Sequence, residues 1–210
     1  MGALLGDGCA YYWKNKEVYL VSIVGEEEFI EKYALRASLC LRKKINPYYN
    51  KGRYKKFGTH LWFSNTNHKK LFTLFKSVRN DLDSILTLMK EGNLKENSLQ
   101  FIEGFFDAEG CVKIVKGKER KTPKICLDLC STDYEYQELI KNLLKIHLDI
   151  EARYSIQKSF IGKDGSKRQK IYHLRVYKKD CIRKFFNNIK TTKLKPEKIM
   201  HVNNWLNNGK

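Results

Sequence analysis

The feature that most constrains this chain is an internal duplication. The segment from Gly2 to Cys9 contains a small residue, three residues, a second small residue, an acid, Gly and Cys, and the same order returns from Gly104 to Cys111. The two acids, Asp7 and Glu109, lie 102 residues apart, which is close to half of the 210-residue chain. Similar predicted elements follow each motif in the same order. The chain is therefore expected to consist of two related halves.

Each half is predicted to combine a motif helix with two hairpins and further helices, because apolar residues alternate in the hairpins and recur at helical spacing between them. In residues 1–97 we expect strands at 10–16, 18–24, 45–56 and 59–64 and helices at 26–44, 68–79 and 81–90. In residues 98–210 we expect strands near 111–117, 124–130, 150–160 and 168–177 and helices near 133–147, 180–190 and 196–207. The predicted fold class is α+β, with antiparallel strands.

The charge of the chain points to its partner. Lys and Arg total 41 against 23 Asp and Glu, a formal net charge of +18 at pH 7. Residues 1–100 hold 17 basic and 10 acidic residues, or +7, so residues 101–210 carry the other +11. A hydrophobic content of 42% is sufficient for a core, which argues against a disordered basic tail. A folded chain of this charge predicts a polyanionic partner, and nucleic acid is favoured over an acidic membrane surface.

Several classes of protein are disfavoured. No stretch approaches the roughly 18 apolar residues of a membrane span, and the amino terminus does not resemble a secretory signal. The six cysteines form no Cys-x-x-Cys pair, and we expect buried, reduced thiols. The chain is expected to be intracellular, in an archaeal cytoplasm or an organelle matrix, and not secreted. No P-loop, Rossmann glycine pattern or Cys/His nucleophile arrangement supports another class of enzyme.

The predicted hairpins carry basic and aromatic side chains. Since strands alternate faces, Leu174 and Val176 are predicted to face a core while His173 and Arg175 face outward. In the first half, Leu61 and Phe63 are predicted to face the core and to oppose His60, Trp62 and Ser64. A sheet with one apolar face and one basic, hydrogen-bonding face can contact phosphates and base edges. A single turn lysine is more often a solvated surface residue, so the prediction depends on the total charge and its distribution over both halves.

The candidate DNA-contacting residues share exposure and hydrogen-bonding capacity on these strands and turns. They are Lys14, Lys16, Arg53, Lys55, His60, Trp62, Lys113, Lys124, Asp128, Arg153, Gln157, Lys170, His173 and Arg175.

The repeated motif suggests a metal site. Small residues four apart share one helix face, so two motif helices could pack closely and bring Asp7 and Glu109 near each other. Two carboxylates at helix C-termini are unfavourable together unless a hard cation such as Mg²⁺ lies between them. Each Asp-Gly or Glu-Gly pair taken alone would only end a helix. The repetition favours a paired function.

At these residues the chain resembles the LAGLIDADG homing endonucleases of the single-chain type with two motifs. The segment Ile102–Gly110 matches the family pattern at most positions, and the first motif is shorter because its first position would precede Met1. The resemblance implies two αββαββα units related by a pseudo-twofold axis, with two four-stranded antiparallel sheets forming a saddle on duplex DNA. It also implies a monomer that cuts both strands of a long, nearly asymmetric site and promotes intron or intein homing.

The resemblance further implies the roles of individual residues. Asp7 and Glu109 match the metal-binding acids, and the carbonyls of Gly6 and Ala108 match additional contacts to Mg²⁺ or Mn²⁺. Many members also place a Lys or Gln near the end of the second strand of each half to organise solvent. Here those ends read Ile-Val-Gly and Cys-Ser-Thr, so Lys113 is the catalytic candidate and Lys178 a weaker one. For each lysine an ordinary phosphate contact is favoured over the catalytic role, since a lysine is a sufficient point charge for that contact.

Two other functions remain open at this stage. An RNA-binding intron maturase on the same fold would take intron RNA as its partner, and members with both activities retain the motif acids. A non-catalytic DNA-binding regulator would bind its site without dependence on metal or on the acids.

Overall fold

The chain divides into two units, Met1–Asp81 and Leu82–Lys210, in a computed structural model that describes residues 1–58, 60–115, 124–162 and 165–207. The elements of the first unit are α1 (Gly2–Asp7), β1 (Gly8–Trp13), β2 (Val18–Gly25), α2 (Glu27–Leu41), β3 (Pro47–Tyr49), α3 (Lys51–Phe57), β4 (Trp62–Asn67) and α4 (Lys69–Asn80). A short 3-10 turn, Lys14–Lys16, joins β1 to β2.

The first unit is built on an antiparallel sheet in the order β1-β2-β4-β3. Its inner face carries the buried side chains of Val21 and Ile23, and α2 and α4 pack on the sheet. Phe29 and Phe75 contribute buried rings from these two helices. One face of the sheet thus packs against the core, and Ser22, between Val21 and Ile23, must point away from it.

The second unit repeats this plan. Its elements are α5 (Leu82–Met89), α6 (Lys95–Glu109), β5 (Gly110–Val115), β6 (Lys124–Ser131), α7 (Tyr134–Leu148), β7 (Arg153–Gln157), β8 (Phe160–Ile161), β9 (Lys167–Arg168), β10 (Ile171–Val176), α8 (Lys179–Asn188) and α9 (Pro196–Asn207). The strand order β5-β6-β10-β7 is antiparallel throughout and matches that of the first sheet. The α+β class and the four-stranded antiparallel sheet in each half are therefore confirmed.

Local sequence explains where the long helices begin and end. The α7 helix begins after Asp133, whose Oδ1 accepts a hydrogen bond from the Glu135 backbone N–H at 3.0 Å. Lys145 lies in its last turn, where a cation complements the helix dipole. The helix ends at Asp149, which has a left-handed φ of 48°, and α2 ends in the same way at Arg42 with φ 49°.

The core of the second unit lies between its sheet and its helices. The buried apolar side chains of β6 are Ile125, Leu127 and Leu129, and Leu174 of β10 lies on the same face. The α6 and α7 helices both contact this sheet. Phe106 of α6 and Phe185 of α8 pack with ring centroids 4.8 Å apart.

The predicted strand at residues 45–56 is wrong for most of its length. The strand β3 covers only Pro47–Tyr49, and the α3 helix follows directly. The sequence Lys-Gly-Arg-Tyr-Lys-Lys-Phe has no apolar alternation, and its long straight side chains lose little freedom in a helix. Lys14 and Lys16 also lie in a 3-10 turn rather than in a strand. The end of the strand predicted at 111–117 lies outside the described residues.

The predicted facing of β4 is also wrong, by one residue. Ser64 and Thr66 are buried on the helix-facing side, whereas Asn65 is exposed and Phe63 packs on Tyr48 of β3. Adjacent Trp62 and Phe63 give no alternation from which to choose a face, and the two small hydroxyl residues fit the core. A shift of one residue moves every side chain of a strand to the other face.

The remaining expectations concern the halves, membranes and cysteines. The predicted division after residue 97 falls inside α6, and it stays a prediction about the repeat rather than about packing. Within the described residues, every helix is too short or too polar to cross a membrane. All six cysteines are free thiols, but Cys9 and Cys40 are exposed, so the expectation that they are all buried is wrong.

Candidate nucleic-acid interface and motif acids

Three acids lie on the second half of α6, and two of them are buried. Asp107 is 1% exposed, and its Oδ1 accepts hydrogen bonds from Thr191 Oγ1 at 2.6 Å and from the Thr192 backbone N–H at 2.8 Å. Glu103 is likewise buried, and its Oε2 accepts from the Lys190 backbone N–H at 3.1 Å. These two carboxylates fix the segment between α8 and α9 to α6.

The third acid, Glu109, has a different position. It is the last residue of α6 and is only partly buried, and Asp7 is the last residue of α1 with similar exposure. Each carboxylate lies at the negative end of a helix dipole, where an anion is disfavoured. In both halves, an acid is therefore the last residue of the motif helix and directly precedes the first strand of a sheet.

The glycine after each acid is required by a close backbone approach. A Cβ added at Gly8 would lie 2.3 Å from the carbonyl oxygen of Leu4, and one added at Gly110 would lie 2.4 Å from that of Phe106. No real Cβ tolerates these distances, so only glycine allows the chain to turn from helix directly into strand at this point.

The oxygen atoms at these helix ends suit a hard divalent cation. The last carbonyls of an α-helix have no intrahelical N–H partner, and those of Gly6 and Ala108 immediately precede the acids. A carboxylate with a neighbouring carbonyl oxygen, completed by water and phosphate, is the kind of donor set that Mg²⁺ and Mn²⁺ accept. The residues present in each half thus fit the metal that the sequence predicts.

The outer face of the second sheet is defined by strand register. Cys111 pairs with Asp128, Lys113 pairs with Cys126, and Arg175 pairs with Asp128 from the other side. Cys130 pairs with His173 on the same face. These residues lie on the sheet face opposite the apolar face formed by Leu127 and its neighbours, so cysteine, aspartate, lysine, arginine and histidine side chains share one surface.

Asp128 lies at the centre of this face and is fully buried. Its Oδ1 lies 3.1 Å from Nδ1 of His173 and accepts a hydrogen bond from Nε of Arg175 at 3.2 Å. Its Oδ2 accepts a hydrogen bond from the Lys113 ammonium. We call these four residues the Asp128 cluster. Three strands contribute to it, so it exists only when β5, β6 and β10 are in register.

Within the Asp128 cluster, the interactions favour the ionised forms of Asp128, Lys113 and Arg175. Burial opposes ionisation of Asp128, but hydrogen bonds from Lys113 and His173 outweigh it and lower the pKa of Asp128. The same hydrogen bond raises the pKa of Lys113, against a smaller effect of burial. Burial disfavours the charge of Arg175, yet the attraction of Asp128 raises its pKa, with a contribution from the Tyr177 hydroxyl. Lys113 is therefore a fixed positive charge and not a proton acceptor.

Part of this face also has the donors of a soft metal site. Donor atoms of Asp128, Cys130 and His173 all lie within 4.8 Å of one another, and the Cys130 Sγ lies 3.1 Å from the His173 Nδ1. Two features oppose a metal there. Lys113 and Arg175 already share the carboxylate, and burial raises the pKa of Cys130 to about 11, which keeps it a thiol. The motif acids are the better metal candidates.

The outer face of the first sheet has no such charge. Ser22 donates from its hydroxyl to Asn65 Oδ1 at 2.6 Å, and Asn65 Nδ2 donates to the Tyr48 hydroxyl at 2.7 Å. In the first sheet, Ser22 pairs with Cys9 on one side and with Asn65 on the other. In the second sheet, Asp128 pairs in the same way with Cys111 and Arg175. Ser22 and Asp128 therefore occupy equivalent positions in the two sheets. Within the described strands, the residues of this face carry no formal charge: Cys9, Tyr11, Trp13, Val18, Leu20, Ser22, Val24, Tyr48, Phe63, Asn65 and Asn67.

The structure brings together most of the predicted contacts of the second half. The residues on its outer face are Lys113, Lys124, Asp128, Arg153, Gln157, His173 and Arg175. Two of them differ from the prediction, because Asp128 is fully buried and His173 is 8% exposed, so neither offers a free surface contact. Lys170 lies just before β10, with its Nζ 4.6 Å from the centre of the Tyr172 ring. Lys178 pairs with Glu151.

The predicted contacts of the first half are not gathered on its sheet. Lys14 and Lys16 lie in the turn after β1, and Lys55 lies in α3. His60 precedes β4, which begins at Trp62, so the prediction that it lies in a strand at 59–64 is wrong; its Nδ1 lies 3.0 Å from the Tyr49 hydroxyl. Trp62 lies on the helix-facing side. Arg53 lies in α3, and its side chain is outside what the structure describes.

Sequence reasoning missed the residues that form the first outer face, above all Ser22, Tyr48 and Asn65. The alternation of Val21 and Ile23 toward the core was a usable signal for Ser22. Asn65 could not be assigned, because the face of β4 was ambiguous.

Comparison with known proteins connects this geometry to one family. A family described as LAGLIDADG-like domain matches residues 96–190. The chain superposes on a variant of I-DmoI, solved in complex with its target DNA and in the presence of Mn. The TM-score is 0.56 at 20% sequence identity, and the match covers 90% of this chain and 89% of that chain. For the homing endonuclease I-WcaI bound to its DNA recognition sequence, the TM-score is 0.52 at 17% sequence identity. That match covers 96% of this chain and 82% of that chain.

A third similar structure is the N-terminal LAGLIDADG domain of WhiA. Its TM-score is 0.55 at 13% identity, with 96% of this chain and 83% of that chain covered. No curated protein sequence matches the chain. At these identities the solved structures establish a shared fold.

Proposed function

We propose that this chain, whose residues 96–190 are a LAGLIDADG-like domain and whose fold is that of the homing endonucleases, is a site-specific double-strand DNA endonuclease. It would cut a long, nearly asymmetric duplex as a monomer with a divalent metal, and the break would promote homing of an intron or intein. The similar I-DmoI variant was solved in complex with its target DNA and in the presence of Mn, which supports this choice of substrate and metal.

The observation that carries the proposal is the repeated acid at a helix end. Glu103 and Asp107 are buried, whereas Asp7 and Glu109 end their helices partly exposed and precede an obligatory glycine. A helix C-terminus is an unfavourable place for a carboxylate. The same arrangement in both halves is understandable if each acid binds a cation.

The residues of this chain would divide the reaction between them. Asp7 and Glu109, with the carbonyls of Gly6 and Ala108, would hold Mg²⁺ or Mn²⁺. When bound, such an ion supplies activation of water and stabilisation of the leaving 3′ oxygen. Lys113, kept protonated by Asp128, would place a fixed positive charge near a phosphate. The outer faces of the two sheets would hold the duplex in register.

Cleavage of a duplex library tests the proposal. The wild type is incubated with randomised duplexes and Mg²⁺, and Asp7→Asn and Glu109→Gln are compared with it on the duplexes that are cut. Each substitution should slow cleavage by roughly 1000-fold, because loss of a metal ligand removes several kcal/mol of transition-state stabilisation. Asp149→Asn and Glu151→Gln remove exposed carboxylates of the same types and should cut as the wild type does.

Other outcomes point to the other functions. If no duplex is cut and both motif variants bind DNA as the wild type does, the nuclease proposal fails. Much tighter binding of structured intron RNA than of any duplex at equal salt would instead favour an intron maturase. Sequence-specific duplex binding that is indifferent to metal and to both acids would favour a DNA-binding regulator.

A further inference from the structure

The guanidinium group of Arg175 is held by a buried carboxylate. Its Nε donates to Asp128 Oδ1 at 3.2 Å, and the Tyr177 hydroxyl contributes a second interaction. The Arg175 side chain is 28% exposed, whereas Asp128 is wholly buried. A guanidinium has five donors in a rigid plane, so these contacts orient the plane without using all of its hydrogen-bonding capacity.

Arg175 is poorly suited to a general phosphate contact. Asp128 offsets part of the charge of its guanidinium group and limits the reach of its side chain. Lys124 and Arg153 lie on the same face with exposed side chains and are better placed to reach the backbone of a duplex. Phosphate contacts require charge and reach, while base readout requires a fixed geometry.

A fixed guanidinium matches one base edge in particular. In the major groove, guanine presents O6 and N7 as two adjacent acceptors, and a planar pair of N–H donors from arginine satisfies both. A lysine ammonium can supply charge to that edge but not two parallel donors in a plane.

We propose that Asp128 is a positioning residue that orients Arg175 to read a guanine in the part of the target bound by the second sheet. The inference rests on the proposed function, because it requires that this sheet contacts duplex DNA. Asp128 itself contacts no base and acts through Arg175. This assigns to a buried acid the selection of a single base pair.

Binding selection separates this inference from the nuclease proposal. Randomised duplexes are bound in EDTA, so that cleavage is not required, and the base preference at each position is determined for the wild type, Asp128→Asn and Arg175→Lys. The wild type should require guanine at a position where both variants lose the preference. Affinity for the guanine duplex should fall about 5- to 150-fold in each, the range expected for one bidentate pair.

Two further measurements distinguish positioning from a merely structural role. The double variant Asp128→Asn/Arg175→Lys should bind no more weakly than the weaker single variant, because Asp128 acts through Arg175. Arg175→Lys conserves charge and should leave the salt dependence of binding unchanged. Glu151→Gln, which removes an exposed carboxylate paired with a lysine in the same half, should keep every base preference.

Several results would overturn the inference. Retention of the guanine preference by Arg175→Lys is one such result. Equal weakening of binding to all duplexes by both variants, as loss of a phosphate contact would cause, is another. If Asp128→Asn does not fold, Arg175→Lys still decides the outcome, since it leaves the acid in place. If the wild type enriches no duplex at all, the proposed function and this inference fail together, whereas a uniform loss of affinity with specific cleavage intact refutes only the inference.

Discussion

The two sheets have the same strand order and equivalent registers, yet their outer faces differ in chemistry. At the centre of the first, Ser22, Asn65 and Tyr48 form a neutral chain of hydrogen bonds. At the centre of the second, Asp128 holds Lys113, His173 and Arg175. The two units therefore share the arrangement of the inner sheet face and of the motif-helix ends, while the outer faces of their sheets differ.

The difference affects how each face can act on a ligand. A neutral face acts at contact distance through hydrogen bonds and ring surfaces, whereas a charged face also attracts an anion from a distance and weakens in salt. The distribution of net charge agrees with this division, with +7 in residues 1–100 and +11 in residues 101–210.

The largest expected difference between the sheets concerns their central residues. Asp128→Ala should lower the free energy of unfolding by about 2 to 3 kcal/mol, because it leaves Lys113 and Arg175 without their shared counter-charge. Partial exposure of the two cations reduces the effect below that of a fully buried pair. Ser22→Ala should cost about 1 kcal/mol, the net value of one hydrogen bond. Urea unfolding of both variants measures the difference, and equal losses would contradict it.

The helix ends should show no such difference between the halves. Gly8→Ala and Gly110→Ala should each destabilise by about 2 kcal/mol, because the added Cβ meets a carbonyl oxygen in both. Gly52→Ala is the matched control, since its Cβ meets only a flexible side-chain atom at 3.4 Å and replaces glycine in a helix. Thermal unfolding of the three variants tests the symmetry. A large loss of stability for only one of Gly8→Ala and Gly110→Ala would contradict the expected equivalence of the two helix ends.

A smaller effect separates the sheets by pH. The folded-state pKa of Asp128 lies below its ordinary value of 3.8, so its contribution to stability is present above that value and is lost as pH falls through the folded pKa. The stability difference between the wild type and Asp128→Asn should therefore shrink as pH is lowered from 5 to about 2. The difference for Ser22→Ala should stay constant over the same range. Unfolding series at several pH values would show whether this contrast exists.

The smallest expected effect is on salt dependence. If Arg153 contacts one phosphate, Arg153→Gln should reduce the slope of log affinity against log salt by about 0.9. Trp13→Ala, on the neutral face, should change affinity without changing the slope. Filter binding over a range of salt concentrations measures both slopes. A change of slope for Trp13→Ala would contradict the prediction, because it would show salt-dependent binding by the neutral face.

Much of the fold could be predicted because local signals agreed with tertiary packing. The α2 helix begins at Glu27 and Glu28 and ends before basic residues, as its charge order predicted. The repeat then placed the equivalent elements of the second half. Where local signals were weak, the prediction was wrong: residues 51–57 had neither alternation nor caps, and β4 began with two adjacent aromatic residues.

The candidate site was predictable only in part for a related reason. Each motif acid lies within a short sequence pattern that occurs twice in the chain, so the sequence alone was sufficient to identify both acids. The Asp128 cluster joins residues 15, 45 and 47 positions apart, and their contact depends on the register of three strands. The sequence analysis gave Asp128 as a direct DNA contact. Its burial by side chains of the neighbouring strands could not be predicted, because no local sequence pattern indicates it.

The neutral chain of Ser22, Asn65 and Tyr48 suggests where altered specificity could be engineered. Replacing one of these residues leaves no stranded charge, so many side-chain combinations are compatible with folding. Changes to the Asp128 cluster would have to be made in concert, since each member is the counter-charge or support of another. Under the proposed function, the first sheet is therefore the DNA-contacting face that tolerates more substitutions, and directed libraries should be built there.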